Sequence, residues 1–306
     1  MTKVTDGHQL EKLVAYVEQT LIPKGFRVEL NRIQYDSAGT AMAEFDIEVR
    51  GKVGTGEIAW LIECRDRPSD GAAPGSWIEQ LVGRRDRFQF NKVTAVSTTG
   101  FSPAARQYAA ESGIDLREVK SIDPKEFSWL DMEYMTFRER VHNLKNATIN
   151  IVGGQPGEAV AEFIRIVRSS NYDTPFLVNS TGATTTVMGV FFHTTQQIES
   201  LWDQMLPNGE PKPVDITAAF REEDHLSVIT SHGNVAVGSI RLVGELFIRE
   251  KLVAPETFKY QQAATGSTIS EIVTFPTELN NKPVAIEIHK IAGEEYMNVL
   301  LRVKDE

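Results

Sequence analysis

Asp46, Glu63 and Arg65 are the residues whose types and spacing offer chemistry. Asp46 lies in the alternating run Ala43-Glu44-Phe45-Asp46-Ile47-Glu48-Val49. Glu63 and Arg65 close the apolar run Ile58-Ala59-Trp60-Leu61-Ile62-Glu63-Cys64-Arg65. Both runs read as strands, and the Gly-rich residues 51–56 read as the hairpin turn between them. Neighbouring strands can bring Asp46 and Glu63 together, and alternation puts Glu63 and Arg65 on one face. Two carboxylates and a cation at one end of a small sheet suit a Mg²⁺ site. A cross-strand or solvated salt bridge is the structural alternative for the same residues.

These residues need elements to position them. Residues 8–21 read as an amphipathic helix, with Leu10, Leu13, Val14 and Val17 in one stripe and Asp6 as its cap. Pro23-Lys24-Gly25 ends it, and residues 26–35 alternate as a first strand. After the hairpin, residues 67–75 read as a mobile loop beside the acids. Residues 76–88 read as a helix, 93–97 as a buried strand, 102–112 as a helix stopped by Gly113, and 114–119 as a short strand. This order suits a mixed sheet with helices on both faces.

The downstream run is Trp77-Ile78-Glu79-Gln80-Leu81-Val82, then Lys92-Val93-Thr94-Ala95-Val96-Ser97-Thr98-Thr99-Gly100-Phe101-Ser102-Pro103-Ala104-Ala105, then Arg106 to Leu116. With Asp46 and Glu63-Cys64-Arg65 it resembles the Mrr-like branch of the PD-(D/E)xK restriction-endonuclease-like superfamily, over residues of about 8–120. Ser97 to Leu116 resembles that branch's "tt-G-F-S-x-x-A" and "A-x-x-x-G-I-x-L" ending. The resemblance implies a metal-dependent endonuclease that hydrolyses DNA, with Mg²⁺ or Mn²⁺ held by Asp46 and Glu63. It implies a metal-associated acid in the first helix, for which Glu11 is the candidate and Glu18 the runner-up. It implies that Gln80 orients Arg65 or the attacking water. A homodimer and a role in restriction, defence or DNA processing follow from the same resemblance.

Arg65 stands where that family has Lys. Arg keeps its charge, so Arg65 can stabilise developing negative charge but cannot hand protons to and from water. The rival reading is therefore a weakened or inactive nuclease fold that binds DNA or protein. Arg84, Arg85 and Arg87, with Lys92 and Arg67, form a basic set. Arg84 and Arg87, three apart on a helix, can reach one phosphate backbone.

The 306 residues suggest two domains: 1–120 as the nuclease domain, 121–147 as a packed aromatic connector, and 148–306 as an α+β domain. In that last domain residues 157–169 and 196–205 read as helices, and 184–193 are β-branched and apolar. From 214 onward short strands follow one another, with turns at Gly233, Gly266, Asn280-Asn281 and Gly293, giving a largely antiparallel sheet. Its expected role is sensing, oligomerisation, substrate selection or binding of an unknown ligand. Net charge is −10, divided as −2 over residues 1–150 and −8 over the rest, so nucleic-acid affinity belongs to the first half. The single cysteine, Cys64, excludes an internal disulfide. No apolar run suits a membrane span and no leader opens the chain, so a cytoplasmic location is expected. Gly153-Gly154-Gln155-Pro156-Gly157 lacks the Lys-Ser/Thr of a P-loop and reads as a strand-to-helix turn. His225 and His232 lie seven apart, with no carboxylate pattern to complete a metal set.

Overall fold

The computed structural model describes residues 7–203, 205–220, 226–279 and 282–303. In chain order the elements are α1 (Gly7–Leu21), β1 (Arg27–Tyr35), β2 (Ala41–Val53), β3 (Gly56–Arg65), α2 (Gly75–Phe88), β4 (Lys92–Ser97), α3 (Pro103–Ser112) and β5 (Asp115–Ser121). Then come β6 (Met135–Ile151), α4 (Gly157–Ser169), β7 (Leu177–Val178), β8 (Thr184–Thr185), α5 (Val187–Gln196), β9 (Lys212–Ala219), β10 (Leu226–Thr230) and β11 (Gly233–Val253). The chain closes with β12 (Glu256–Gln262), β13 (Thr268–Leu279), β14 (Lys282–Ile291) and β15 (Met297–Val303). Among the described residues no helix is long and apolar enough to cross a membrane.

The chain divides into two compact units, residues 1–135 with 253–306, and residues 136–252. The first unit is a nine-stranded mixed sheet in the order β1-β2-β3-β4-β5-β12-β13-β14-β15. The pairs β3–β4 and β4–β5 are parallel. Strand β4 is buried from Val93 to Ser97, as a parallel strand covered on both faces must be. One face is covered by α1, whose Leu10, Leu13, Val14 and Val17 pack on Ile47, Val49, Trp60 and Ile62. The other is covered by α2 and α3, whose Ile78, Leu81, Ala105 and Ala109 pack on Phe45, Leu61, Val93 and Ala95. Each buried aliphatic or aromatic side chain contributes about 1.5–3 kcal/mol against exposure. Helix α3 is bounded by local chemistry: Ser102 Oγ accepts from the Ala105 N–H, Pro103 takes the first turn, and Gly113 ends it at φ 70°.

The domain boundaries differ from those read in the sequence. Residues 253–306 do not belong with residues 148–252; β12 adds antiparallel to β5, with Tyr260 opposite Val119. Phe258, Tyr260 and Ile272 enter the core under α1. The alternation of these strands specifies a half-buried β structure, not which sheet edge it joins. The second half of the expected connector, from Met135 onward, is the start of β6, a 17-residue strand.

The second unit holds a six-stranded sheet in the order β6-β11-β10-β7-β8, with β9 also on β11. Ala159 and Phe163 of α4 and Val187, Val190 and Phe191 of α5 pack on Val235, Val237, Ile240 and Leu242. The second helix falls earlier than expected, at Val187–Gln196, and residues 199–201 are only a 3₁₀ turn. Thr186 Oγ1 caps it by accepting from the Gly189 N–H at 2.8 Å, and its buried residues 187, 190, 191 and 195 recur at helical spacing. Gly244 allows a close approach, since a Cβ there would lie 2.6 Å from the Asn143 carbonyl oxygen. Between β6 and α4, residues 152–156 are a plain strand-to-helix connection, and Gly157 opens the helix. The expected turn at Asn280-Asn281 and the His225 half of the histidine pair lie outside the described residues.

Candidate active site

Strands β2 and β3 pair with Val49 opposite Trp60, Glu48 opposite Leu61 and Ile47 opposite Ile62. The same register brings Asp46 level with Glu63 where the ladder ends. Phe45 packs in the α2–α3 core, whereas Ile47 packs under α1. Residues two apart on a regular strand share a face, so the alternation breaks at Asp46. On β1, the residue between the partners of Phe45 and Ile47 is Asn31, at φ 51°. The Asp46 carboxylate lies against β3, where Oδ2 accepts the Cys64 backbone N–H at 2.7 Å.

Glu63 is buried. Its Oε1 accepts from Arg84 Nη1 at 2.6 Å, and the same nitrogen donates to the Glu44 carbonyl oxygen at 3.1 Å. Burial pushes the Asp46 carboxyl up to about 6, against the pull of the Cys64 N–H, and the charge of Glu11 adds to the rise. Burial pushes Glu63 up to about 8, and the negative charge of Asp46 pushes the same way against Arg84. Burial, then the charges of Asp46, Glu11 and Glu63, raises the Cys64 thiol well above its ordinary value, so it stays a protonated, unreactive thiol. In the metal-free fold at neutral pH Glu63 is therefore mostly protonated and Asp46 mostly ionised.

Glu11 is buried on α1, with Oε2 3.2 Å from His8 Nδ1. Among the described residues no group of three or more His, Cys, Asp or Glu side chains is placed to hold one metal ion. Glu11 thus acts on the pair through its charge and is not a third ligand in this arrangement. Two carboxylates fit Mg²⁺ nonetheless, because that ion keeps several waters and completes its shell with substrate phosphate. Glu18, the runner-up, belongs to a separate buried cluster, where Arg117 donates to it and Tyr260 Oη donates to it at 2.8 Å.

The remaining residues singled out in the sequence are dispersed. Arg65 Nη2 donates to Asp70 Oδ2 at 3.1 Å, while Gln80 is exposed on α2 and is not the partner of Arg65. The basic set does not form one free patch. Arg84 is committed to Glu63, and Arg85 donates to the Ser112 carbonyl oxygen at 2.6 Å. Lys92 sits 4.4 Å from the Trp60 ring centre and 3.7 Å from Asp115. Arg87 lies over the Phe88 ring, and Arg67 is mostly exposed, 3.8 Å from Asp70. Sequence reasoning missed the Arg84–Glu63 and Arg65–Asp70 pairs. Spacing holds no signal for the first, which joins a strand to a helix 21 residues on. The second lies five residues apart, in a segment that reads as loop.

Residues 3–127 match the Mrr_cat family model, described as a restriction endonuclease. They form an Mrr-like restriction-endonuclease-like domain. The matched stretch runs from α1 past β5 and contains Glu11, Asp46, Glu63, Arg65, Asp70 and Arg84 of this nuclease-like domain. No curated protein matches the chain. A solved structure titled "Protein of Unknown Function AF1548" is 19% identical, covering 36% of this chain and 57% of its own, with a TM-score of 0.30. A likeness at that level carries no argument.

Proposed function

We propose that the first unit is a metal-dependent endonuclease of the restriction-endonuclease fold that hydrolyses DNA phosphodiester bonds, with Mg²⁺ as its ion and Mn²⁺ as a substitute. The observation that carries this reading is the pair of Glu63, buried, and Asp46, half-buried, at the end of one β-hairpin, with Arg65 two residues along the same strand as Glu63. Asp46 is oriented by the Cys64 N–H, which leaves Oδ1 for a ligand. Arg84 holds Glu63 Oε1, which leaves Oε2. When bound, the ion polarises the phosphodiester and lowers the pKa of the attacking water. Arg65 stays cationic at any working pH and stabilises charge developing at phosphorus. It does not take the proton from water, so that proton leaves to solvent or to a phosphate oxygen. Arg67 and Arg87 are the cations of the basic set placed to attract the backbone. A homodimer would address both strands, residues 136–252 would sense or select the substrate, and the setting would be restriction, defence or DNA processing in the cytoplasm.

The test is cleavage of supercoiled, relaxed and linear DNA by pure protein with Mg²⁺ or Mn²⁺. Wild type cuts and Asp46→Ala does not. Wild type that leaves every DNA form intact refutes the reading. It would favour a fold kept for binding alone, the role that Arg65 in place of Lys also suits.

A further inference from the structure

We propose that Asp70 is a positioning residue for Arg65, fixing its guanidinium so that the buried Nε–H is kept for a non-bridging oxygen of a bound phosphodiester. This rests on the nuclease reading above.

The Arg65 side chain is 12% exposed, and its outer nitrogen Nη2 is tied to Asp70 Oδ2. Its Nε is buried and has no acceptor among the described residues. A buried N–H without an acceptor gives up its bond to water and gains none in return, and folded proteins rarely leave one so. Here it lies two residues from Glu63 on β3, which is where a phosphate would reach an ion held by the acids.

The segment carrying Asp70 is braced, in contrast to the mobile loop expected from its composition. Thr98 Oγ1 donates to Asp66 Oδ1 at 2.7 Å, and Thr99 Oγ1 donates to the Gly71 carbonyl oxygen at 2.7 Å. The Ala73 N–H donates to the Gly100 carbonyl oxygen at 2.9 Å, and the Ser102 N–H donates to the Ala73 carbonyl oxygen at 3.0 Å. Pro68 opens a 3₁₀ turn whose last residue is Asp70. The Thr98-Thr99-Gly100 run beyond β4 thus holds Asp70 at a set distance from β3.

The arrangement also explains why Arg stands in this place. A guanidinium has separate donors on a rigid fork, so one end can be anchored while Nε–H stays aimed elsewhere. An ammonium has one nitrogen, and anchoring it to Asp70 would turn it from the phosphate.

The experiment uses the full chain with supercoiled plasmid and Mn²⁺, comparing wild type, Asp70→Asn, Asp70→Glu, Arg65→Lys and the double variant Arg65→Lys with Asp70→Asn. Asp70→Asn lowers kcat by roughly 10- to 100-fold, the scale of a misplaced transition-state donor. KM for plasmid stays equal or falls, the melting temperature holds, and Asp70→Glu recovers part of the rate. In the Arg65→Lys background Asp70→Asn costs less than about twofold, since the two act as one unit. Independently of turnover, the Arg65 Nε–H NMR signal, assigned by its loss in Arg65→Lys, shifts when a short duplex is added with Ca²⁺ to wild type. It does not shift in Asp70→Asn. Wild type that cuts while Asp70→Asn cuts equally well, or an Nε–H signal unmoved by bound duplex, overturns this proposal alone. Wild type that does not cut overturns it together with the nuclease reading.

Discussion

Glu63→Gln removes a strained ionisation from the nuclease-like domain, and its effect on stability can be worked out. The Glu63 carboxyl titrates at about 8 in the fold and near 4.5 when unfolded. Between those values the native state holds a proton that the unfolded state has lost, so stability falls as pH rises through the window. At about 1.4 kcal/mol per unit, the step from pH 6 to pH 8 removes about 3 kcal/mol. Asp46 titrates at about 6, so most of its own contribution is spent below this window. Urea denaturation in EDTA should find wild type up to about 3 kcal/mol less stable at pH 8 than at pH 6, relative to Glu63→Gln measured at both. Loss of the Arg84 partner shifts the variant at both pH values and cancels in the difference. Saturating Mn²⁺ should restore wild type at pH 8, because a cation favours the ionised pair, and should do nothing for Glu63→Gln. Parallel pH dependence of the two proteins in EDTA would refute the account of Glu63 as a buried carboxylate held against its charge.

Further outcomes follow from the rest of the first unit. Burial alone would raise Glu287, but its bonds to His289 and Arg302 prevail and hold it at about 2, so its stabilisation is complete above pH 4.5 and is lost as pH falls toward 2. Acid unfolding of Glu287→Gln should therefore be shallower than that of wild type over pH 4.5 to 2, by about 3 kcal/mol in all. Arg117→Ala strands Glu18 beside Tyr260 and should cost about 3–5 kcal/mol, read as a lower urea midpoint. Truncation after residue 135 removes Phe258, Tyr260 and Ile272 from the core under α1. The fragment should lack a cooperative melt by circular dichroism, whereas a sharp transition would mean that β12 to β15 are dispensable.

The sequence alone determined what is local. The three-to-four spacing of Leu10, Leu13, Val14 and Val17 makes an amphipathic helix wherever an apolar sheet is available. Ser102-Pro103 and Gly113 bound α3 through backbone chemistry within their own turns. The order α1-β1-β2-β3-α2-β4-α3-β5 is legible for the same reason, as are Asp46 and Glu63 as neighbours across one hairpin. Tertiary structure decided everything that depends on choosing a partner. Any exposed edge of hydrogen-bonding groups can accept β12, and its place on β5 reflects burial of Tyr260 among residues more than 100 positions away. A guanidinium can pair with any nearby carboxylate, so only packing sends Arg84 of α2 to Glu63 and leaves Arg65 to Asp70. The Val187–Gln196 helix, rich in β-branched and aromatic residues, forms because its buried face fits the second core, a gain larger than its weak intrinsic propensity.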